Sequence, residues 1–274
     1  MLTFLLCTTW LMSDVTWQSD YATAVHSAKE QKKDLLIHFV ADDQLDAVLA
    51  DAGLQRKLAQ FVCLRLPVDF KVGEKELLRH TAFAEMNGKP GIAILSLHDD
   101  QLPQHREVIS VHPLVNSRYS WVPKFGVDQL AIVLDLPKTA TLTQRSMLYA
   151  LHVHPERPGS IRGTWHPAFV RHAERHSVRQ ASMQHQHHAD LIATMSHLQA
   201  ESGLGLYNAS EVVAESWGMV VGGENVLEAA FSCIDAWRHS SGHWGAVVRQ
   251  HRFFGYDLAR GANGTWYATG IFAD

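Results

Sequence analysis

Apolar positions along the chain switch between two periods. From Asp20 to Lys33, the residues Tyr21, Ala24, Val25 and Ala28 fall at helical spacing, and Ser19 and Asp20 are candidate caps. The run LLIHFV at 35–40 predicts a buried strand. Leu45, Val48, Leu49 and Ala52 restore the helical period, and a further turn or helix follows Gly53. A second strand is predicted over 61–68. A helix is predicted over 74–86, with Leu77, Leu78, Ala82 and Phe83 inward. NGKPG at 87–91 is a break, 92–97 a strand, Asp99-Asp100 a turn and 107–111 another strand. Alternating helices and strands imply an α/β layer with a partly parallel sheet.

The second half reads differently. Residues 143–153 form a predicted helix with Met147, Leu148 and Leu151 as its stripe, and HPERPGS at 154–160 breaks it. Trp165-His166-Pro167 opens another helix, with the proline at a tolerated early position. Phe169, Ala173 and Ser177 share a face of that helix, which Ala181 continues. Asn225 is a candidate cap for a helix lined by Leu227, Ala230, Phe231, Ile234 and Trp237. Two strand-like segments, 252–258 and 265–273, are joined through GANG. Helices first and strands last give an α+β or three-layer pattern. Residues 121–140, with a short predicted helix at 127–134, read as the connector between the halves. No repeat or low-complexity linker separates them, so close packing is expected.

A length of 274 residues suits two domains, and a 46% hydrophobic composition supplies a real core. The net charge is -4 and no long basic run occurs, which argues against a nucleic-acid partner. Cys7, Cys63 and Cys233 are far apart and form no CxxC pair, so neither a disulfide framework nor a cysteine zinc knuckle can be built. The N-terminal MLTFLLCTTWLMSDVTW is apolar and short and lacks opening basic residues. It reads either as a leader over 1–14, cleaved after Ser13, or as a buried first strand. A leader would make the protein extracytoplasmic, secreted or periplasmic. No later stretch is long and apolar enough to span a bilayer. The 18 histidines make the net charge rise in mildly acidic surroundings, and lineage-biased composition is the plain alternative explanation of their number.

Residues 15–120 resemble a thioredoxin-like domain: Trp17 precedes the first helix, a strand ends in HFVA at 38–41, and Pro90 precedes a strand in KPGIAILSLHDD. The sequence departs from that family where it matters for chemistry. After HFVA it reads DDQLD, where active members carry CxxC. Thiol–disulfide exchange needs an attacking and a resolving thiol. No redox activity is therefore expected, Cys63 is expected to be an inert core cysteine, and the domain is read as a scaffold or docking module for a protein partner.

Residues 141–274 resemble the CAP superfamily (cysteine-rich secretory protein, antigen 5 and pathogenesis-related; SCP-like, bacterial type). TWHPAFVRHAERHSVRQA, IDAWRHSSGHW and FFGYDLARGANGTWYATGIFA carry that resemblance. It implies an α-β-α sandwich, and site histidines at His188, counted from His176, and at His243. The family's glutamate falls at Glu211 in SEVVAES or at Glu224 in GGEN, with Glu211 preferred. Ser240 stands where eukaryotic members have a second glutamate, and it is counted with the cleft. Two imidazoles and a carboxylate can hold Zn2+ or another divalent cation with one position left to water, and a water so bound can be acidified for hydrolysis.

The favoured reading is a non-catalytic binder of a metal, lipid, glycan or other small molecule. The alternative is a metal-dependent hydrolase using the same cleft, and a third reading is a scaffold that binds through its thioredoxin-like half. His172 and His176 in HAERH are expected to be solvated, and Glu174 is at the wrong offset for the HExxH of zinc proteases. His185 and His187 are possible substitutes for His188. No G-x-S-x-G elbow occurs, and Ser241-Gly242 is read as a turn presenting His243.

Overall fold

The computed structural model describes residues 15–217 and 224–274. The segment 1–14, with Cys7, lies outside the described residues. The chain is mixed α/β, built on two sheets that share a helical layer.

In the first half, β1 (Trp17–Gln18) leads into α1 (Tyr21–Glu30). Asp20 caps α1, its Oδ1 accepting from the Thr23 amide at 2.8 Å. Next come the buried β2 (Asp34–Val40), α2 (Asp46–Leu49), α3 (Ala52–Leu58) and β3 (Phe61–Pro67). The helix predicted over 74–86 does not form. Its place is taken by a small hairpin, β4 (Lys71–Val72) and β5 (Lys75–Glu76), turning at Gly73 with φ +63, and by two 3-10 segments, Leu77–Arg79 and Thr81–Met86. His80 breaks the helical path: its backbone is extended, and its Nδ1 accepts from the Ala82 amide at 3.1 Å, which ends one turn and starts the next. Leu77, Leu78 and Phe83 are buried all the same.

β6 (Gly91–Leu95) and β7 (Val108–Pro113) complete a sheet of order β1-β3-β2-β6-β7. Its β1, β3 and β2 are mutually parallel, β6 is antiparallel to β2, and β7 is antiparallel to β6. Every described peptide bond is trans, including that before Pro90. Cys63 is buried in β3 with its Sγ 3.7 Å from the Leu58 carbonyl oxygen, and burial pushes its thiol up to about 12.

α4 (Val127–Asp135) and α5 (Leu142–Val153) follow, the latter opened by a capping box between Thr141 and Gln144. Residues 144–151 of α5 are all buried, so only the ends of this helix reach solvent. Then come β8 (Thr164–Trp165), α6 (Pro167–Met183), α7 (Leu191–Ser202), β9 (Ser210–Glu215), α8 (Val226–Arg238), α9 (Ser241–Val248), β10 (Phe253–Arg260) and β11 (Trp266–Ala273). The second sheet has order β8-β10-β11-β9; its β10–β11 and β11–β9 pairs are antiparallel, and β8 runs parallel to β10.

Period-2 alternation along β10 and β11 feeds two cores. Phe253, Ile271 and Ala273 face α6 and α7, with Phe169 and Ala173 of the first and Leu198 of the second. Phe254, Tyr256 and Phe272 face α5 and α8, with Trp237. The second half is thus a three-layer α-β-α unit. α5 touches β7 on one side and β10 on the other, and one apolar cluster runs from the first sheet through α5 and α8 to the second. Among the described residues no helix is long and apolar enough to cross a membrane.

Gly255 sets how closely α6 lies on β10. A methyl group there would meet the Phe169 carbonyl carbon at 2.4 Å and the Val170 nitrogen at 2.5 Å. Gly255→Ala is expected to cost about 1–3 kcal/mol, or more if the backbone cannot yield. Urea unfolding measures this, with Gly245→Ala as the control because an added methyl at Gly245 meets nothing within 4 Å.

Candidate functional site

Three elements bring imidazoles to one buried carboxylate. Glu211 is the second residue of β9, paired in register with Ile271 of the hairpin. That position turns its side chain inward, where it is fully buried. α6 ends at Gln184 in the left-handed region, with φ 52, and the chain turns back over the end of β9 through 185–189. The Ala189 amide donates to Glu211 Oε2 at 2.8 Å, and His188 Nδ1 lies 3.3 Å from the same oxygen. His176, buried on α6, donates from Nε2 to the His187 carbonyl oxygen at 2.9 Å and stands 3.3 Å from Glu211 Oε1.

His243 comes from the first turn of α9, where a turn was expected. Ser240 is the residue before that helix, and its carbonyl accepts the first bond from the Trp244 amide at 2.8 Å. His243 Nε2 lies 3.3 Å from His188 Nε2, with the ring centroids 5.4 Å apart. The Ser240 hydroxyl makes no hydrogen bond to these groups.

The hydrogen bonds set the proton positions. The Glu211 carboxylate only accepts, so it favours a proton on His188 Nδ1 and leaves the Nε2 lone pair to accept from His243 Nε2–H, whose proton a bound cation would replace. Burial, with His188 adding to it and Glu211 opposing, holds the His243 imidazole below its usual pKa, which favours the neutral ligand form. Two nitrogens on one tetrahedral zinc, each at about 2.0–2.1 Å, stand roughly 3.3 Å apart. That is the observed Nε2–Nε2 separation.

Glu211 stands behind His188, on the Nδ1 side, and not beside the two Nε2 atoms. It orients the ring as an outer carboxylate orients a ligating histidine. Among the described residues no group of three or more histidine, cysteine, aspartate or glutamate side chains is arranged to hold a metal ion. A cation at the pair would therefore take its remaining ligands from water or from a bound molecule.

No family model, curated protein or solved structure matches this chain. The reading of the site rests on its own geometry.

The other candidates fall elsewhere. Glu224 is buried against Arg118 of the segment following β7, and its carbonyl oxygen accepts from Trp266 Nε1 at 3.2 Å. It ties the halves together and does not approach the histidines. His185 is exposed, and the His187 ring packs 4.9 Å from His176. The expectation that His172 and His176 are solvated is corrected: His176 lies 6% exposed against Glu211, and His172 is half-buried with its Nε2 closed off. A signal for His176 was present: Phe169, Ala173, Ser177 and Gln180 mark the buried face of α6, and His176 lies three residues beyond Ala173 on that face.

Proposed function

We propose that this is a non-catalytic binding protein with a CAP-type α-β-α layer and a thioredoxin-like layer that lacks redox cysteines. It takes zinc or another divalent cation at the His188–His243 pair. The order β1-β3-β2-β6-β7, with its parallel core and antiparallel β6 and β7, supports the thioredoxin-like reading, although the trans bond before Pro90 departs from that family. The helix-covered closing hairpin, with both histidines and Glu211 at one end of its sheet, supports the CAP reading.

The observation that carries the proposal is the meeting of His188 and His243, 55 positions apart, at Nε2–Nε2 3.3 Å over a fully buried carboxylate. When bound, the cation would polarise a coordinated water or ligand oxygen. The chain's own part is to hold a proton on His188 Nδ1, to keep the two Nε2 atoms convergent, and to fix the 185–189 turn through the Ala189 amide. An extracytoplasmic location is part of the proposal and rests on the apolar 1–14 segment.

Calorimetric titration with zinc tests it. Wild type is expected to bind one zinc ion, His243→Ala to lose that binding, and Glu211→Gln to weaken it by about 10–100-fold, the usual effect of removing an outer carboxylate. Equal binding by wild type and a folded His243→Ala would refute the proposal. Turnover of peptide or ester libraries by the zinc-loaded wild type, lost in His243→Ala, would instead establish a hydrolase.

A further inference from the structure

α6 and α7 face each other across a cavity of about 470 Å³. Helices packed side by side ordinarily turn apolar stripes toward one another. Here α6 lines the cavity with His172, Arg175, His176 and Arg179, which recur at i, i+3, i+4 and i+7. α7 contributes Thr194 and His197, together with its cap Asp190. The apolar contact between the two helices lies deeper, in the cluster of Phe169 and Ala173 with Met195 and Leu198, and leaves this rim polar.

The charges are left unbalanced. Glu201 is shared by Arg171 at 2.5 Å and Arg175 at 3.1 Å. The Asp190 carboxylate is occupied as a cap, accepting from the Ile192 and Ala193 amides at 2.9 and 3.1 Å. Arg179 has no ion pair among the described residues. Two lining histidines, His172 and His187, each have a buried Nε2 without a hydrogen-bond partner. Those two atoms are closed off from the cavity, so what its wall presents is the unpaired guanidinium of Arg179.

We propose that the α6–α7 cavity binds the phosphate group of a small phosphorylated molecule. Arg179 would clamp its oxygens as a planar, multiply donating guanidinium does, with Arg175, already held by Glu201 and His197, adding its charge beside it. The volume lies within the usual range for small-molecule sites and exceeds what inorganic phosphate alone would fill. His188 of the cation pair also lines this cavity, His243 does not, and the phosphate contacts of Arg179 do not require zinc.

The test uses the full chain, freed of metal with a chelator, at one fixed neutral pH. It is titrated by calorimetry with inorganic phosphate, with a hexose phosphate, and with phosphatidylcholine vesicles containing or lacking phosphatidic acid. The hexose phosphate is expected to bind saturably and about tenfold more tightly than inorganic phosphate. Arg179→Gln, at an exposed position where folding should be unaffected, is expected to weaken it by about tenfold or more. His243→Ala and the distant Arg56→Gln should leave it unchanged. Absence of saturable hexose phosphate binding, or equal affinity in Arg179→Gln, would overturn the proposal. Binding only to vesicles that carry phosphatidic acid would overturn it in favour of a lipid headgroup. Because His243→Ala separates zinc binding from phosphate binding, either site can fail without the other.

Discussion

Replacing Arg145 with alanine is expected to remove about 3–5 kcal/mol of folding stability, among the largest effects of any single change in this chain. Arg145 sits on α5 and is 2% exposed. Its Nε donates to Ser110 Oγ on β7 at 2.6 Å, and its two terminal nitrogens donate to the Val133, Leu136 and Pro137 carbonyl oxygens at 2.8–3.0 Å. One guanidinium thus caps the C-terminal end of α4, holds the connector and ties both to the first sheet. Burial lowers its pKa to about 10, so it remains charged at neutral pH. Truncation would strand a hydroxyl and three carbonyl groups in a dry layer. Arg145→Lys should recover little, because an ammonium cannot span that fork of acceptors. Urea unfolding of the two variants decides the matter: a loss below about 1 kcal/mol in Arg145→Ala would show that the connector does not depend on this side chain.

The second large effect is acid lability. His38 on β2 and His112 on β7 are buried, and burial, with Arg65 and Arg145 respectively adding to it, lowers their pKa values to about 4 and about 3. The unfolded chain protonates both near 6.5. Their contribution to stability is therefore complete above pH 6.5 and is lost as the pH falls toward the folded values. At about 1.4 kcal/mol per proton and pH unit, the pair loses roughly 5 kcal/mol by pH 4.5.

Asp257 acts in the opposite sense. It is buried between Ser177 at 2.5 Å and Thr143 at 2.8 Å, and burial raises its pKa to about 6. Its contribution is complete below the unfolded value and is lost as the pH rises through 6, returning at most about 3 kcal/mol on acidification. The imidazoles prevail, because His152, His154, His172 and His251 are also depressed by burial. The urea midpoint should fall steadily from pH 7 to pH 5. His112 packs between Phe125 and Tyr149, so His112→Phe keeps the ring shape and should reduce the loss over that interval by about 2 kcal/mol. An unchanged pH slope in His112→Phe would exclude His112 as a cause.

The pattern of apolar residues located most of the helices and strands that face a core, because burial on one side writes its period into the sequence. β2, α5, α6, α8 and the closing hairpin all lie within a few residues of their predicted bounds. Periodicity misled at 74–86, where Leu77, Leu78, Ala82 and Phe83 suit an α-helix. His80 capping and the Gly73 turn are local hydrogen-bonding choices that no apolar count records. It also left α7 and β9 unassigned, since α7 buries only Thr194 and Leu198, too few positions to write a helical period. At the site, His188, His243 and Glu211 were named from resemblance and the structure brings all three together. The carboxylate's place behind His188 was not legible, nor was the role of His176. Both depend on pairings between residues 23 and 35 positions apart, which arise only where the fold brings Glu211 of β9 to His176 of α6 and to the 185–189 turn.

The most direct test of the cation site is anomalous scattering at the zinc edge from crystals of the wild-type chain grown with equimolar zinc. One strong peak is expected at about 2.0–2.1 Å from Nε2 of both His188 and His243, with Glu211 still on His188 Nδ1. A peak held by other residues, or two imidazoles lying apart with no zinc between them, would contradict it.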